Sequence, residues 1–262
     1  MPPDAAPDGL EKRLTAADDL EALAHEKDER VLLALLEDPD VQQKHLEVLL
    51  SRLDLSANVV AAIAAQPKWM ATEGVRLGVA AHPKTAKRVA LGTIKQLFLF
   101  DLLRLCMLPS VPPDIRRAAE EVLLGRVHHL PLGEKISLAR RSPARVVAAI
   151  LAEGHPQTTK LALDNASLTE SQVLRVLAAR EIPERVVTAI SQHPKWATLY
   201  NVRVALVRSP HTPRSLAESL LREIKLSDLR DLAIDSNLVA GKRQLASQEL
   251  NRRKSSLPAA GS

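Results

Sequence analysis

The sequence predicts an all-α protein, an α-solenoid of short stacked helices arranged as two tandem copies, the second displaced by the step that leads from Trp69 to Trp196. Three observations carry that expectation. Sliding the chain against itself by that step brings Gln66-Pro67-Lys68-Trp69 onto His193-Pro194-Lys195-Trp196, and 16 of the 47 aligned positions from residue 59 to 105 are identical without a gap. Turn signals fall about every dozen residues, and apolar side chains between them recur at helical intervals of three and four. Ala, Leu and Val supply most of a 46% hydrophobic content of which little is aromatic, 2% of the chain. Small side chains suit thin layers of closely packed helices better than one bulky core.

Taken in order, residues 1–8 read as a disordered lead, without the basic and apolar regions of a secretory signal. The first helical half is expected over 9–130. Within it Val59, Val60 and Ile63 are matched by Val186, Val187 and Ile190. Gly74 and Gly78 have the spacing of a close helix contact, although Asn201 and Ala205 stand at the matching positions. Phe98, Leu102 and Leu105 share one helix face. The apolar run from Leu97 to Val111 is interrupted by Asp101, Arg104 and Pro109, and is shorter than the roughly 20 residues a membrane span requires.

The second half is expected over 131–254. Ser142-Pro143 and Thr212-Pro213 each offer an N-cap hydroxyl followed by a proline suited to the first helical turn. Thr169 and Gln172 have the spacing of a capping box. Val202, Ala205 and Leu206 form another helical stripe. Asn251-Arg252-Arg253-Lys254 suits a helix C-terminus, where cations complement the dipole, and residues 255–262 have the composition of a disordered tail. No segment alternates in the manner of a strand. Helices of about ten residues are marginal alone and must seal one another's apolar stripes, which stacking in register achieves.

Charge is unevenly distributed. The net value is +5, but residues 1–60 hold 14 acidic and 6 basic side chains, which leaves residues 61–262 at +13. Such a body attracts polyanions or acidic protein surfaces. The lone Cys106 permits no intrachain disulfide, which points to a reducing, cytoplasmic setting and to a buried thiol acting as a small hydrophobe. The Ala- and Arg-rich composition is that of a GC-rich bacterial genome.

The segment from Val202 to Leu216, with a Val-Arg helix ending in Ser209-Pro210-His211-Thr212-Pro213, resembles the leucine-rich repeat variant signature, and Val75 to Thr85 repeats it with Ala86 at the second proline. More broadly the chain is similar to HEAT and armadillo helical repeats. The resemblance implies an architecture and leaves the ligand open. An iron–sulfur cluster, which a leucine-rich repeat variant protein can bear, needs about four thiolates; Cys106 alone does not supply them, and no cofactor is expected.

The candidate ligand-binding residues are Lys68, Trp69, Arg76, Lys195, Trp196, Arg203 and Arg208. Paired indoles beside lysines would grip a ligand by stacking and charge, or else wedge between helices as structural residues. Asp101 follows Arg76 at the same interval as Asp228 follows Arg203, so each pair is expected to form a rung of a structural ladder. The eight histidines show no metal-ligand spacing, and neither a phosphate-binding loop nor a nucleophile elbow occurs. The expected function is therefore a non-catalytic scaffold that binds a protein or peptide partner. The alternative is double-stranded nucleic-acid binding by the basic body, in the manner of DNA repair glycosylases built on HEAT-like repeats.

Overall fold

The computed structural model describes residues 17–256. The expected lead at 1–8 lies outside the described residues, as does the tail beyond 256. Among the described residues there are eighteen helices and no strand, so the all-α expectation holds. No helix among them is long and apolar enough to cross a membrane. The chain divides into two compact units, Met1–Gly125 and Arg126–Ser262, with the division inside a helix rather than at 130/131.

The first unit contains α1 (Ala17–Leu23), α2 (Glu29–Leu35), α3 (Gln43–Ser51), α4 (Ala57–Ala65), the single turn α5 (Pro67–Met70), α6 (Glu73–Ala81), α7 (Lys87–Ile94) and α8 (Leu99–Met107). Helix α9 (Pro113–Val127) runs to the division. The second unit contains α10 (Leu132–Arg141), α11 (Ala144–Glu153), α12 (Pro156–Leu163), α13 (Glu170–Leu177), α14 (Glu184–Gln192), α15 (Tyr200–Arg208), α16 (Arg214–Leu221), α17 (Leu226–Ile234) and α18 (Ala240–Ser256). Applied to the first residue of α1, α2, α3, α4, α6, α7, α8 or α9, the step from Trp69 to Trp196 lands on the first residue of a helix each time, from α11 through α18.

Within each unit, helices contact alternate neighbours as well as adjacent ones. In the first, α3 packs on α6 and α6 on α8 along one layer, while α2 packs on α4 in the other. In the second, α11, α13 and α15 pack in succession, backed by α10, α12 and α14 in succession and by α16 against α18. The stripes at Val59, Val60 and Ile63 and at Val186, Val187 and Ile190 face this interior, as do Val75 and Val202, all of them buried. In the stripe of α8 Leu102 and Leu105 are buried, but Phe98 is the N-cap and 58% exposed, and in that of α15 Ala205 is only partly buried. Removing such side chains from water at about 25 cal/mol per Å² is what offsets the entropy of ordering such short helices.

Local chemistry sets the boundaries. The Asp28 carboxylate accepts from the Arg30 N–H and the Ser56 hydroxyl from the Val59 N–H, capping α2 and α4. Gly154 ends α11 in the left-handed region at φ 69°, after which Pro156 opens α12. Three expected caps are corrected. Pro143 and Pro213 occupy the N-cap positions themselves; the Thr212 hydroxyl turns back to the Leu206 carbonyl, and the buried Ser142 hydroxyl has no partner. Thr169 bonds the Ser171 hydroxyl at 2.9 Å in place of a capping box. Residues 251–254 do lie in the last turns of α18, yet Arg253 caps a neighbour, donating to the carbonyls of Leu221, Arg222 and Ile224. Helix α18 also continues two residues into the expected tail.

Candidate functional site

Each unit carries a groove, and the two grooves use matching positions. In the first unit it lies along α3 and α6, with a volume of about 370 Å³. Glu47, Leu50 and Ser51 form one wall; Gly74, Leu77, Gly78 and Ala81 form the other; His82 and Pro83 close the end. In the second unit a groove of about 560 Å³ lies along α13 and α15. Leu174, Leu177 and Ala178 form its first wall, Asn201, Val204, Ala205 and Arg208 the second, and Ser209 and Pro210 the end. Every one of these residues lies one step from Trp69 to Trp196 beyond a residue of the first groove, taken in the same order.

Backbone geometry explains the shape. At Gly78 a Cβ would approach the Leu50 Cβ to 2.9 Å, and at Gly74 it would meet the Glu47 carboxylate at 2.0 Å. The bare Cα atoms let α6 lie close against α3. Asn201 and Ala205 stand there in the second unit, where the groove is larger.

The chemistry of the two grooves differs. Leu53 and Leu108 make the first one more apolar, with Glu47, His82 and Arg104 as its charged or titratable groups. His82 is buried, its Nε2 2.8 Å from the Arg52 carbonyl oxygen, and its Nδ1 accepts from the Lys84 N–H. Burial holds its imidazole below the ordinary value. The second groove presents Tyr200, Asn201, Arg208 and Asp228. The Tyr200 hydroxyl bonds Asp228, and burial together with that carboxylate pushes the phenol upward. Asn201 donates to Glu170 at 3.0 Å. Arg208 is exposed and reaches Asp235 only at 3.9 Å. The Ser209 hydroxyl is buried without a partner.

The structure separates most of the residues picked out from the sequence. Both indoles are buried, which closes them to stacking with a ligand. Trp196 donates from Nε1 to the Leu163 carbonyl at 2.9 Å, with Lys195 Nζ 4.0 Å from the ring centroid. Trp69 sits in the core of the first unit, and Lys68 is exposed. The ladder pairing is corrected in the second unit: Arg203 pairs with Glu223 at 2.9 Å and donates to the Ala197 carbonyl, while Asp228 takes Tyr200. In the first unit Asp101 is the neighbour that pushes the Glu73 carboxyl above the usual range. Arg76 lies over the Phe98 ring at 5.9 Å, and its Nε, like Asp101 Oδ2, is buried without a hydrogen-bond partner. Of the seven candidates, Arg208 alone lines a groove.

Sequence reasoning missed Tyr200, the one tyrosine of the chain. Its signal was its alignment with Glu73 under the step from Trp69 to Trp196, three positions before Arg203 and therefore on the same side of α15. Cys106 is partly buried, its thiol pushed up to about 12 by burial and by Glu120, so it is poorly suited to nucleophilic work at neutral pH. Set against known proteins, the chain matches no family model, no curated protein and no solved structure.

Proposed function

We propose that the chain is a non-catalytic α-solenoid scaffold, built as two tandem copies of one helical array, that binds a protein or peptide partner along its helical face. The observation that supports this reading is the pair of grooves at matching positions, equal in framework and different in side chains. A shape kept at two places while its chemistry diverges suits two grooves that read different peptide sequences. Nine lining positions correspond between the grooves, whereas the residues that change, such as Ala81 to Arg208 and His82 to Ser209, alter charge and polarity. The likeness to HEAT, armadillo and leucine-rich repeat variant repeats is in keeping with it. Exposed apolar side chains at the matching positions Met107 and Ile234, 56% and 81% exposed, add the kind of anchor a partner would cover.

Selection of a displayed random peptide library on the full chain tests the proposal. Ser51 and Ala178 are matched, exposed, groove-lining positions, so Ser51→Trp and Ala178→Trp fill one groove each without entering the core. Peptides enriched on the wild type are expected to lose at least about tenfold in affinity, roughly 1.4 kcal/mol, on one filled variant or the other. Binding to both variants as tight as to the wild type, or no enrichment at all, would count against groove recognition.

A further inference from the structure

We infer that one edge of the second unit binds the phosphate backbone of a nucleic-acid duplex. This edge is formed where the turns leading into α11, α13, α15 and α17 meet, and hydrogen bonds join it throughout. The Asn165 side chain donates to the Ala139 carbonyl at 2.8 Å, and the Ser167 hydroxyl to that of Ser142 at 2.7 Å. His193 and Trp196 reach Asp164 and Leu163 in the next turn. Arg203 bonds Ala197 and Glu223, and Arg253 bonds Ile224. The turns therefore follow one another in a row, and their side chains lie on a common strip.

That strip is basic. Arg140, Arg141, Lys195, Arg222, Lys225 and Lys254 are all exposed on it, and none of them forms an ion pair with a described residue. Its carboxylates are already engaged, Asp164 by His193, Glu223 by Arg203 and Asp228 by Tyr200. Residues 126–262 as a whole carry 21 basic and 12 acidic side chains, so the surplus is of the unit and the concentration is of the edge. Successive helices of a layer lie about 8–10 Å apart, which delivers positive charge in steps along a line.

Two features favour a duplex over an acidic protein or an unstacked strand. The exposed large apolar residues of this unit, Leu132, Ile234 and Val239, stand at the opposite helix ends, leaving the basic edge without the apolar anchors a protein interface uses. Trp196 is buried and the Tyr200 ring lies beneath Lys225 at 4.7 Å, so no free aromatic platform is offered to unstacked bases. What remains is charge in a row, the means by which a duplex is held regardless of sequence.

Fluorescence anisotropy of the full chain with a DNA or RNA duplex of about 20 base pairs, over a salt series, tests this. Sequence-independent binding is expected, with the logarithm of affinity falling linearly with the logarithm of salt. The double variant Arg140→Gln with Arg222→Gln is expected to make that slope shallower by about 2, since each phosphate contact contributes about 0.9. Arg175→Gln with Arg180→Gln removes the same charge away from this edge and is expected to leave the slope nearly unchanged. Equal effects of the two pairs would overturn the inference, as would no retention at about 50 mM salt. Binding to vesicles of anionic lipid, or to a poly-glutamate peptide, with none to either duplex would overturn it too.

Discussion

Trp196 donates its indole proton to the carbonyl oxygen of Leu163, 33 residues earlier, from a position only 1% exposed. The bond ties the end of α12 to the turn before α15. The matched Trp69 is buried without such a bond among the described residues. Replacing Trp196 by Phe leaves a buried carbonyl short of a partner and a small void, which is expected to cost about 1–3 kcal/mol. Trp69→Phe loses packing without that bond and is expected to cost less. Urea unfolding of both variants measures the difference.

The pairing of Arg203 with Glu223 gives a second expectation. The two side chains are partly exposed, so their coupling should be about 0.2–1 kcal/mol. A double-mutant cycle on Arg203 and Asp228 should give coupling near zero, because Asp228 is held by Tyr200.

Gly154 marks a backbone position that most side chains adopt only with strain. Its φ of 69° lies in the left-handed region, and a Cβ there would sit 2.7 Å from Val186 Cγ2 and 2.9 Å from Pro183 Cγ. Gly154→Ala is expected to lose at least about 1–2 kcal/mol from the backbone alone, with the contact adding to it. Thermal denaturation reports the loss directly.

The fold class was legible because apolar periodicity and turn residues are local signals: the stripe at Val202, Ala205 and Leu206 follows from helix geometry whatever surrounds it. Helix starts keep the spacing from Trp69 to Trp196 even where few residues agree, as for α3 and α13. Side-chain partners were not legible. The equal intervals from Arg76 to Asp101 and from Arg203 to Asp228 place both pairs on corresponding helices. Whether they join depends on competitors, and these differ: Glu73 stands by Asp101 where Tyr200 stands by Asp228. A proline after a hydroxyl likewise did not reveal that the Thr212 hydroxyl turns backward to seal α15. The grooves were invisible for the same reason, since the walls of each come from helices that are not consecutive in the chain, α3 with α6 and α13 with α15.

Acid sensitivity follows from His82. The neutral imidazole satisfies both neighbours, donating from Nε2 to the Arg52 carbonyl and accepting at Nδ1 from the Lys84 N–H; a proton on Nδ1 would break the second bond. Burial sets its folded value below the ordinary 6.5. The unfolded chain then binds the proton first as pH falls, so the stabilisation is complete above about 6.5 and is lost as pH drops through the lower folded value. Urea midpoints measured downward from pH 7.5 to about 5 should fall in the wild type and fall less steeply in His82→Gln.

Hydrogen exchange on the full chain, with and without a peptide selected on it, goes to the core of the scaffold proposal. Protection is expected along α3 and α6, along α13 and α15, or along both pairs, and nowhere else to a comparable degree. Protection centred on the backing helices α4, α7, α14 and α16, with the groove walls exchanging unchanged, would contradict it.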